Sequence, residues 1–434
     1  MDFFSSAGQE QTVHPMQRVL FVAESVTLAH VGRPIALASG LDATRYEAVL
    51  ACDTRYQSFL ASVPFRTVPI RSISSEAFMQ ALARGSPLYT TQELRQYVRD
   101  DLELIERTRP DIIVGDFRLS LSVSARLARV PYVALTNAYW SPHYRLNRFP
   151  LPVLPITRFL PLALADALFR LGQPMAMRLH SRPLETVRKE HGLPPLGGNL
   201  RRVYTDADET LYADTPHVFP IADLPASHSF LGPVQWTPAV PLPEWWQRLP
   251  SDRPIVYFTL GSSGPGELTE QLLASLASLP VTVVASTAGR PVGQELPNNV
   301  FVAPYLPGLE AAARARLVIC NGGSPTSAQA LAGGAPVLGI ASNMDQFLNM
   351  SALAQAGVGR TLRADRIKLP AFREMVHEML RSDEWSSRAA ALAPSYQGNL
   401  ALERFATVLE RVTARRASEP AQTPARAAPG ARHP

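Results

Sequence analysis

Cysteine is almost absent: Cys52 and Cys320 are the only two among 434 residues. That excludes a disulfide scaffold and fits buried thiols in a reducing compartment. Lysine is as scarce. Lys189 and Lys368 stand alone among 42 basic residues, the rest being arginine, which we read as a genomic composition effect. The net charge of +5 is small and collects partly after Arg411, so no nucleic-acid partner is expected. No run reaches about 18 apolar residues without a charge, which excludes a spanning helix. The first residues lack a basic stretch leading into an apolar run, so no signal peptide is read there and a cytoplasmic location is the default. There is no His/Cys pair at metal-ligand spacing and no H-E-x-x-H, so no metal is expected. Apolar residues are not scarce. They make up 46% of the chain against 18% charged, which excludes a chain disordered throughout.

A length of 434 residues predicts two or three domains. Short, continuous apolar runs alternate with helical patterns. Arg18–Glu24, Tyr46–Cys52, Asp111–Asp116 and Pro131–Leu135 read as buried strands, and Glu93–Thr108 as a helix. Such alternation predicts an α/β chain whose parallel sheet is covered on both faces. Leu211–Ala213 and Ser229–Leu231 read as closing strands. The alternation restarts at Ile255–Leu260 and continues through Val281–Ala285, Val300–Ala303, Leu317–Cys320 and Pro336–Ile340. The expected organisation is a disordered extension over 1–17 and a doubly wound domain over 18–237. A Pro-rich linker over 238–250, a second doubly wound domain over 251–413 and a disordered tail over 414–434 complete it. Between the two alternations, residues 149–174 hold several prolines among Leu, Phe and Ala, and the regular pattern breaks there.

The sharpest local signal is Cys320-Asn321-Gly322-Gly323-Ser324-Pro325-Thr326, directly after a buried strand and before a helix. Glycines at a strand-to-helix turn let the backbone approach a ligand, and the helix N-terminus favours an anion such as phosphate. A tight turn with no ligand stays open as the other reading. His30 falls between a strand and a helix, on the side where doubly wound domains place their ligands. A neutral imidazole there suits proton abstraction, and Asp116, at a strand end of the same domain, suits the task of orienting it. A helix-start histidine and a capping aspartate are the alternatives. Asp345 and Gln346 offer acceptor oxygens to vicinal hydroxyls; the alternative is that Asp345 caps the helix from Phe347. Asp206-Ala207-Asp208 precedes a strand and reads as a solvated loop.

Residues 318–359 resemble the donor-binding segment of nucleotide-sugar glycosyltransferases of the UGT and macrolide-glycosyltransferase type. Gly322, Gly323, Thr326, Ala330, Leu331, Gly334, Pro336, Asp345, Gln346, Asn349, Gly357 and Gly359 match that pattern in order and spacing. Tyr257–Ser263 and Val300–Leu309 resemble the family's Gly-Ser loop and its Pro-bearing loop against the base. Ala29–Ala38 is similar to its N-terminal G-H-x-x-P/R opening. In all, the similarity spans about residues 18–410. It implies the GT-B fold, two Rossmann-like domains facing across a cleft. It also implies an inverting transfer of a hexosyl group from a nucleoside diphosphate sugar, UDP first and dTDP next, to a small apolar acceptor, with no cofactor beyond that co-substrate. His30 and Asp116 take the roles of base and partner. Ser263, Tyr305, Asn321, Gly322, Gly323, Thr326, Gln329, Asp345 and Gln346 take the donor. Trp140 and the segment 149–171 are expected to line the acceptor pocket, with at most a minor membrane-surface role because basic residues are few there. Oligomeric state is left open.

Three positions depart from the family pattern. Asn321 stands where the family has a histidine, Pro325 where it has glycine, and Gln329 where it has glutamate. An amide still donates to a phosphate or bonds a ribose, without charge assistance. These changes keep a second expectation in play, a non-catalytic GT-B auxiliary or scaffold protein.

Overall fold

The computed structural model describes residues 16–293 and 296–418. The expected extension over 1–17 lies almost wholly outside them. So does the tail beyond Ser418.

The first sheet holds β1 (Gln17–Ala23), β2 (Tyr46–Cys52), β3 (Arg66–Pro69), β4 (Ile112–Asp116), β5 (Tyr132–Thr136), β6 (Glu209–Tyr212) and β7 (His228–Phe230). The second holds β8 (Ile255–Thr259), β9 (Thr282–Ser286), β10 (Val300–Ala303), β11 (Leu317–Cys320), β12 (Val337–Ala341) and β13 (Gly359–Arg363). Every strand pair is parallel, in the orders β3-β2-β1-β4-β5-β6-β7 and β10-β9-β8-β11-β12-β13. Both faces of the central strands are covered, so β1 and β11 bury residues without alternation. The two missed strands, β3 and β13, are edge strands with no apolar run, and all their residues but Gly359 are exposed or half-buried.

In each sheet the strand order reverses at one place, between β1 and β4 and between β8 and β11. Ligands of doubly wound sheets bind beyond the strand C-termini at that switch point. In the first sheet Ala23 pairs with Asp116 at the strand ends, and in the second Cys320 pairs with Thr259. The chain therefore leaves both switch points through the loops that carry the sequence-predicted residues.

Two expectations change. The chain does not lose order at 414, because one helix runs from Asn399 to Ser418. That helix also crosses back to the first body. Ala401, Phe405, Val408, Leu409 and Val412 pack in one apolar cluster with Val19, Phe21 and Leu50. The Phe405 and Phe21 rings lie 5.9 Å apart. The Pro-rich region also behaves differently. Pro174 and Pro183 lie inside a single 29-residue helix, Leu162–Glu190. Each proline removes one backbone donor, and helical bonds to either side carry the helix through. Ahead of that helix, residues 151–157 bridge the two bodies. Val153 N–H donates to the Ser342 carbonyl at 2.7 Å and the Thr157 hydroxyl to Asp365 at 2.6 Å. Arg363 donates to the carbonyl of Leu151.

The returning helix is thus part of the N-terminal core. Phe405 is 1% exposed, and Phe405→Ala is expected to cost about 3–5 kcal/mol of stability. Urea unfolding followed by circular dichroism checks this. A loss below about 1 kcal/mol would mean that the helix is a detachable appendage.

Candidate active site

His30 lies in the first turn of the Leu28–Ser39 helix, just after β1. Asp116 ends β4, and its carbonyl accepts from Glu24 N–H at 3.0 Å, which ties the two strand ends together. Their side chains meet: His30 Nδ1 and Asp116 Oδ1 are 2.8 Å apart. The carboxylate is fully buried, whereas the imidazole keeps 19% of its side chain exposed. With Nδ1–H donating to Asp116, the lone pair sits on Nε2, which has no hydrogen-bond partner among the described residues. The ring of Phe117 stacks on the imidazole with centroids 4.7 Å apart and planes 12° apart. Phe117 itself has φ +60°, a strained conformation for an aromatic residue.

Buried charges hold that strained residue from both sides. On one side is Asp116. On the other is Arg118, fully buried, donating to Glu24 at 3.0 Å and to Asp101 at 3.0 Å. Its guanidinium also lies 3.7 Å from the centre of the Tyr97 ring. One cation serves two buried carboxylates, and burial pushes both Glu24 and Asp101 above the usual carboxylate range despite the pull of Arg118.

Sequence reasoning missed Arg33. It follows His30 by one helical turn and is buried. Its Nε donates to Asp116 Oδ2 at 2.8 Å and its Nη2 to Oδ1 at 2.7 Å, a two-pronged grip. Burial works to lower the Arg33 pKa, but the charge and hydrogen bonds of Asp116 outweigh it and the net shift is upward. Nη1 donates to Asn137 Oδ1 at 3.0 Å, and Asn137 Nδ2 donates across the cleft to the Ser324 hydroxyl, also at 3.0 Å. The signal available was its place at the P/R position of the G-H-x-x-P/R opening, three residues after His30.

Across the cleft, Asn321, Gly322 and Gly323 form the turn between β11 and the Ser324–Ala332 helix. Gly322 has φ +79°, and a Cβ there would sit 2.7 Å from Met350 Cγ; both constraints require glycine. Asn321 is spent within the turn. Its Oδ1 accepts from Gly323 N–H at 3.0 Å and its Nδ2 donates to the Ser263 hydroxyl at 3.1 Å. The first-turn N–H groups of Ser324 and Thr326 have no intrahelical acceptor, and Pro325 has no N–H. An anion at this turn would meet those N–H groups, the positive helix end and the Ser263 and Thr326 hydroxyls.

Several donor-side expectations take a different form. Gln346 completes a capping box with Asn343 at the start of the Met344–Gln355 helix. Its Oε1 accepts from Ser342 and Asn343, so that oxygen caps a helix and is not free for a ligand hydroxyl. Gln329 Nε2 donates to the Trp236 carbonyl at 2.9 Å. Asp345 Oδ1 accepts from Trp140 Nε1 at 2.8 Å. Trp140, expected to serve the acceptor alone, thus fixes a carboxylate of the opposite body. Tyr305 meets Phe59 edge-on at 5.7 Å, and Phe59 meets Trp236 likewise at 5.8 Å. Asp206, expected in a solvated loop, instead pairs with Arg126 and Arg188.

All twelve sequence-predicted site residues but Gly322 line one cavity of about 630 Å³. From the first body its wall is apolar, with Phe59, Phe78, Leu82, Phe117, Ile156 and Phe169. Only the last two lie on the stretch expected to face an acceptor. The others come from three separate segments with no shared motif, which is why sequence reading did not collect them.

No family model matches the chain. Close relatives do. The chain is 50% identical over 380 residues to a PGL/p-HBAD biosynthesis glycosyltransferase of Mycobacterium tuberculosis, covering 88% of this chain and 89% of the relative. The chain belongs to the PGL/p-HBAD biosynthesis glycosyltransferases. A PGL/p-HBAD biosynthesis rhamnosyltransferase of Mycobacterium bovis is 51% identical over 380 residues, 88% of this chain and 84% of that one. A shorter relative from M. bovis, named as an inactive PGL/p-HBAD biosynthesis glycosyltransferase, is 50% identical over 260 residues, 60% of this chain and 71% of its own. Among solved structures, the calicheamicin glycosyltransferase CalG4 matches with a TM-score of 0.67 at 17% identity over 93% of this chain and 99% of its own. The spinosyn rhamnosyltransferase SpnG gives 0.63 at 22% identity over 91% and 100%. The fold of this glycosyltransferase is GT-B.

One further buried acid of the transferase, Asp214, accepts from Ala138 N–H at 2.6 Å and from Asn137 Nδ2 at 3.1 Å. Burial pushes its pKa up to about 6, against the smaller downward pull of Ala138, Asn137 and Arg33. The folded state therefore holds a proton that the unfolded chain, near 3.8, has released. The resulting penalty is absent below about pH 4 and complete above about pH 6, on the order of 3 kcal/mol. Wild type is expected to lose that much stability relative to Asp214→Asn as pH rises through this window, measured by denaturant melts at several pH values. A pH-independent difference would refute the shifted titration.

Proposed function

We propose that this glycosyltransferase is inverting and metal-independent. It moves a hexosyl or deoxyhexosyl group from a nucleoside diphosphate sugar to a hydroxyl of a small apolar acceptor. The observation that carries this reading is the His30–Asp116 pair, assembled at one switch point and facing the anion-ready turn of the other across a single apolar cavity. His30 Nε2 takes the proton of the acceptor hydroxyl as that oxygen attacks the anomeric carbon. Asp116 holds the tautomer that leaves Nε2 unprotonated. The departing diphosphate develops its charge at the N–H groups of Ser324 and Thr326, the Ser263 and Thr326 hydroxyls and the helix end, a fixed electrostatic stabilisation. Asp345, aimed by Trp140, is placed to accept from sugar hydroxyls.

The state of the carboxylates supports direct displacement and hence inversion. Asp116 is buried and bonded through both oxygens to Arg33. Asp214 is buried and bonded by Asn137 and Ala138. Neither is exposed to attack an anomeric carbon and form a covalent intermediate; Asp345 does line the cavity, but it is held by Trp140 and assigned to the sugar hydroxyls, so we assign the acceptor oxygen as the nucleophile. The assembled base pair also weighs against a non-catalytic auxiliary role. UDP-sugars are our first assignment, with dTDP-sugars second, and a panel of nucleoside diphosphates in thermal-shift assays separates them. A ligand at 100 times its Kd stabilises by about 2.7 kcal/mol.

His30→Ala is expected to lower turnover by about 10²–10⁴-fold while leaving nucleotide binding intact, since the donor turn belongs to the other body. Wild-type turnover in that variant would end the assignment of the base. Trp140→Phe keeps the ring but loses the donor to Asp345. A hydrogen bond to a charged group contributes about 1.5–3 kcal/mol, so kcat/KM for the sugar donor should fall about tenfold or more. Affinity for the free nucleoside diphosphate should stay within about twofold, read by calorimetry. Equal losses for sugar donor and free diphosphate would show that Asp345 does not read the sugar.

A further inference from the structure

The Leu162–Glu190 helix has two apolar faces. One walls the cavity with Phe169, Ala176 and Met177. The other faces solvent. Leu164, Leu168, Leu171, Met175 and Leu179 recur every three or four residues, which places them on one stripe. Their exposures are 48%, 44%, 83%, 60% and 47%, and Phe159, just before the helix, is 83% exposed. A contiguous exposed apolar strip on a globular protein marks an interaction surface.

The charge around the strip says what covers it. Basic residues are few within 149–171, where only Arg158 and Arg170 occur, but the longer stretch 145–184 adds Arg145, Arg148, Arg178 and Arg182 against a single acid, Asp166, which reverses the expectation of at most a minor membrane-surface role. Asp166 is already engaged by Arg170 at 2.8 Å, with Arg148 at 3.7 Å. Arg178 and Arg182 continue the stripe itself, three residues beyond Met175 and Leu179. A second copy of this chain would press the same arginine-rich rim against itself, like charge on like. An anionic bilayer answers both features, taking the apolar stripe at its acyl boundary and the arginines among its headgroups. Leu168 belongs to the stripe and to the cavity lining at once, so the strip is continuous with the wall of the cavity.

We propose that this helix face, with Phe159, docks on an anionic lipid surface and sets the cavity at the membrane interface, where an amphiphilic acceptor can enter from the bilayer. The entry of the acceptor rests on the transferase reading above; the docking does not.

The test uses the full chain and flotation with vesicles, either pure phosphatidylcholine or equimolar phosphatidylcholine and phosphatidylglycerol. Two variants are compared, Phe159→Ser/Leu171→Ser/Met175→Ser and Arg178→Gln/Arg182→Gln. All five positions are exposed. Calorimetry of nucleoside diphosphate binding confirms that the variants are folded and reports separately on the transferase reading. Wild type should bind the anionic vesicles and bind the neutral ones weakly. The apolar triple variant should lose about tenfold or more of that binding. The arginine pair should lose about twentyfold at low salt and much less at high salt. Absence of wild-type binding, equal binding by the triple variant, or a concentration-dependent dimer that the triple variant disperses without any vesicle binding would each overturn the proposal.

Discussion

The active site depends on one buried carboxylate. Asp116 is placed by β4 at the switch point of the first sheet, out of contact with water, and three donors converge on it. A bare carboxylate in that position would carry a desolvation cost of several kcal/mol. Arg33 removes most of that cost by matching both oxygens, which leaves Oδ1 able to hold His30 as well. Removing Arg33 would strand the charge, and removing Asp116 would strand the guanidinium. The proposed base is therefore hydrogen-bonded to a buried ion pair, and the helix that carries both His30 and Arg33 is locked to the strand it packs on.

The second sheet repeats the geometry with opposite chemistry. Its switch point holds no unpaired buried charge. Asn321 accepts from Gly323 and donates to Ser263, while Gly322 donates to the Cys320 sulfur and accepts from Asn349, so the turn is tied down before any ligand arrives. Its capacity for an anion comes from N–H groups that no helix can satisfy internally. A neutral Asn321 is consistent with that arrangement, because it shapes the turn and leaves the charge complementarity to the helix end. The bodies are joined by the bridge at residues 151–157, by the returning helix, and inside the cleft by bonds that include Asn137 to Ser324, Trp140 to Asp345 and Gln329 to Trp236. The Asn137 bond continues a chain that begins at His30 and runs through Asp116 and Arg33. His30 and the turn after β11 are thus parts of one hydrogen-bonded system, so a shift of that turn has a direct route to the proposed base.

Much of this was legible in the sequence because of burial. Central parallel strands must be apolar on both faces, so β2, β10 and β11 could be read to the residue, and the loops at their ends followed. His30, in the helical turn after β1, and Asp116, at the end of β4, were singled out because each follows a buried apolar strand. What escaped detection depended on pairings over long sequence distances. Strands β3 and β13 sit at sheet edges and carry no apolar run. The last helix returns to β1 across almost the whole chain, and nothing local to residues 399–418 announces that partner. Gln346 was read as a free polar side chain, whereas the Asn343–Gln346 spacing is itself a capping signature and could have been recognised. Arg33 stood at the P/R position of the G-H-x-x-P/R opening, but that pattern says nothing of its partner. Its burial follows from Asp116, which lies 83 residues further on.

Arg33 also decides how Asp116 acts on the base. In a dyad of imidazole and carboxylate alone, the carboxylate both aims the ring and stabilises the imidazolium by its charge. Here a guanidinium within hydrogen-bond distance of both oxygens already answers that charge, and its Nη2 lies 3.2 Å from His30 Nδ1. At such distances, in surroundings of low dielectric, the field of Arg33 on the imidazole is comparable to that of Asp116 and opposite in sign. The main contribution of Asp116 is then geometric: it fixes the tautomer and the aim of Nε2, with the Phe117 ring holding the plane. In the proposed reaction the departing diphosphate adds a negative charge across the cleft from the imidazole. On this reading the base works best when the donor is in place, which is the order of events that the hydrogen-bonded link from Ser324 to Asp116 would favour.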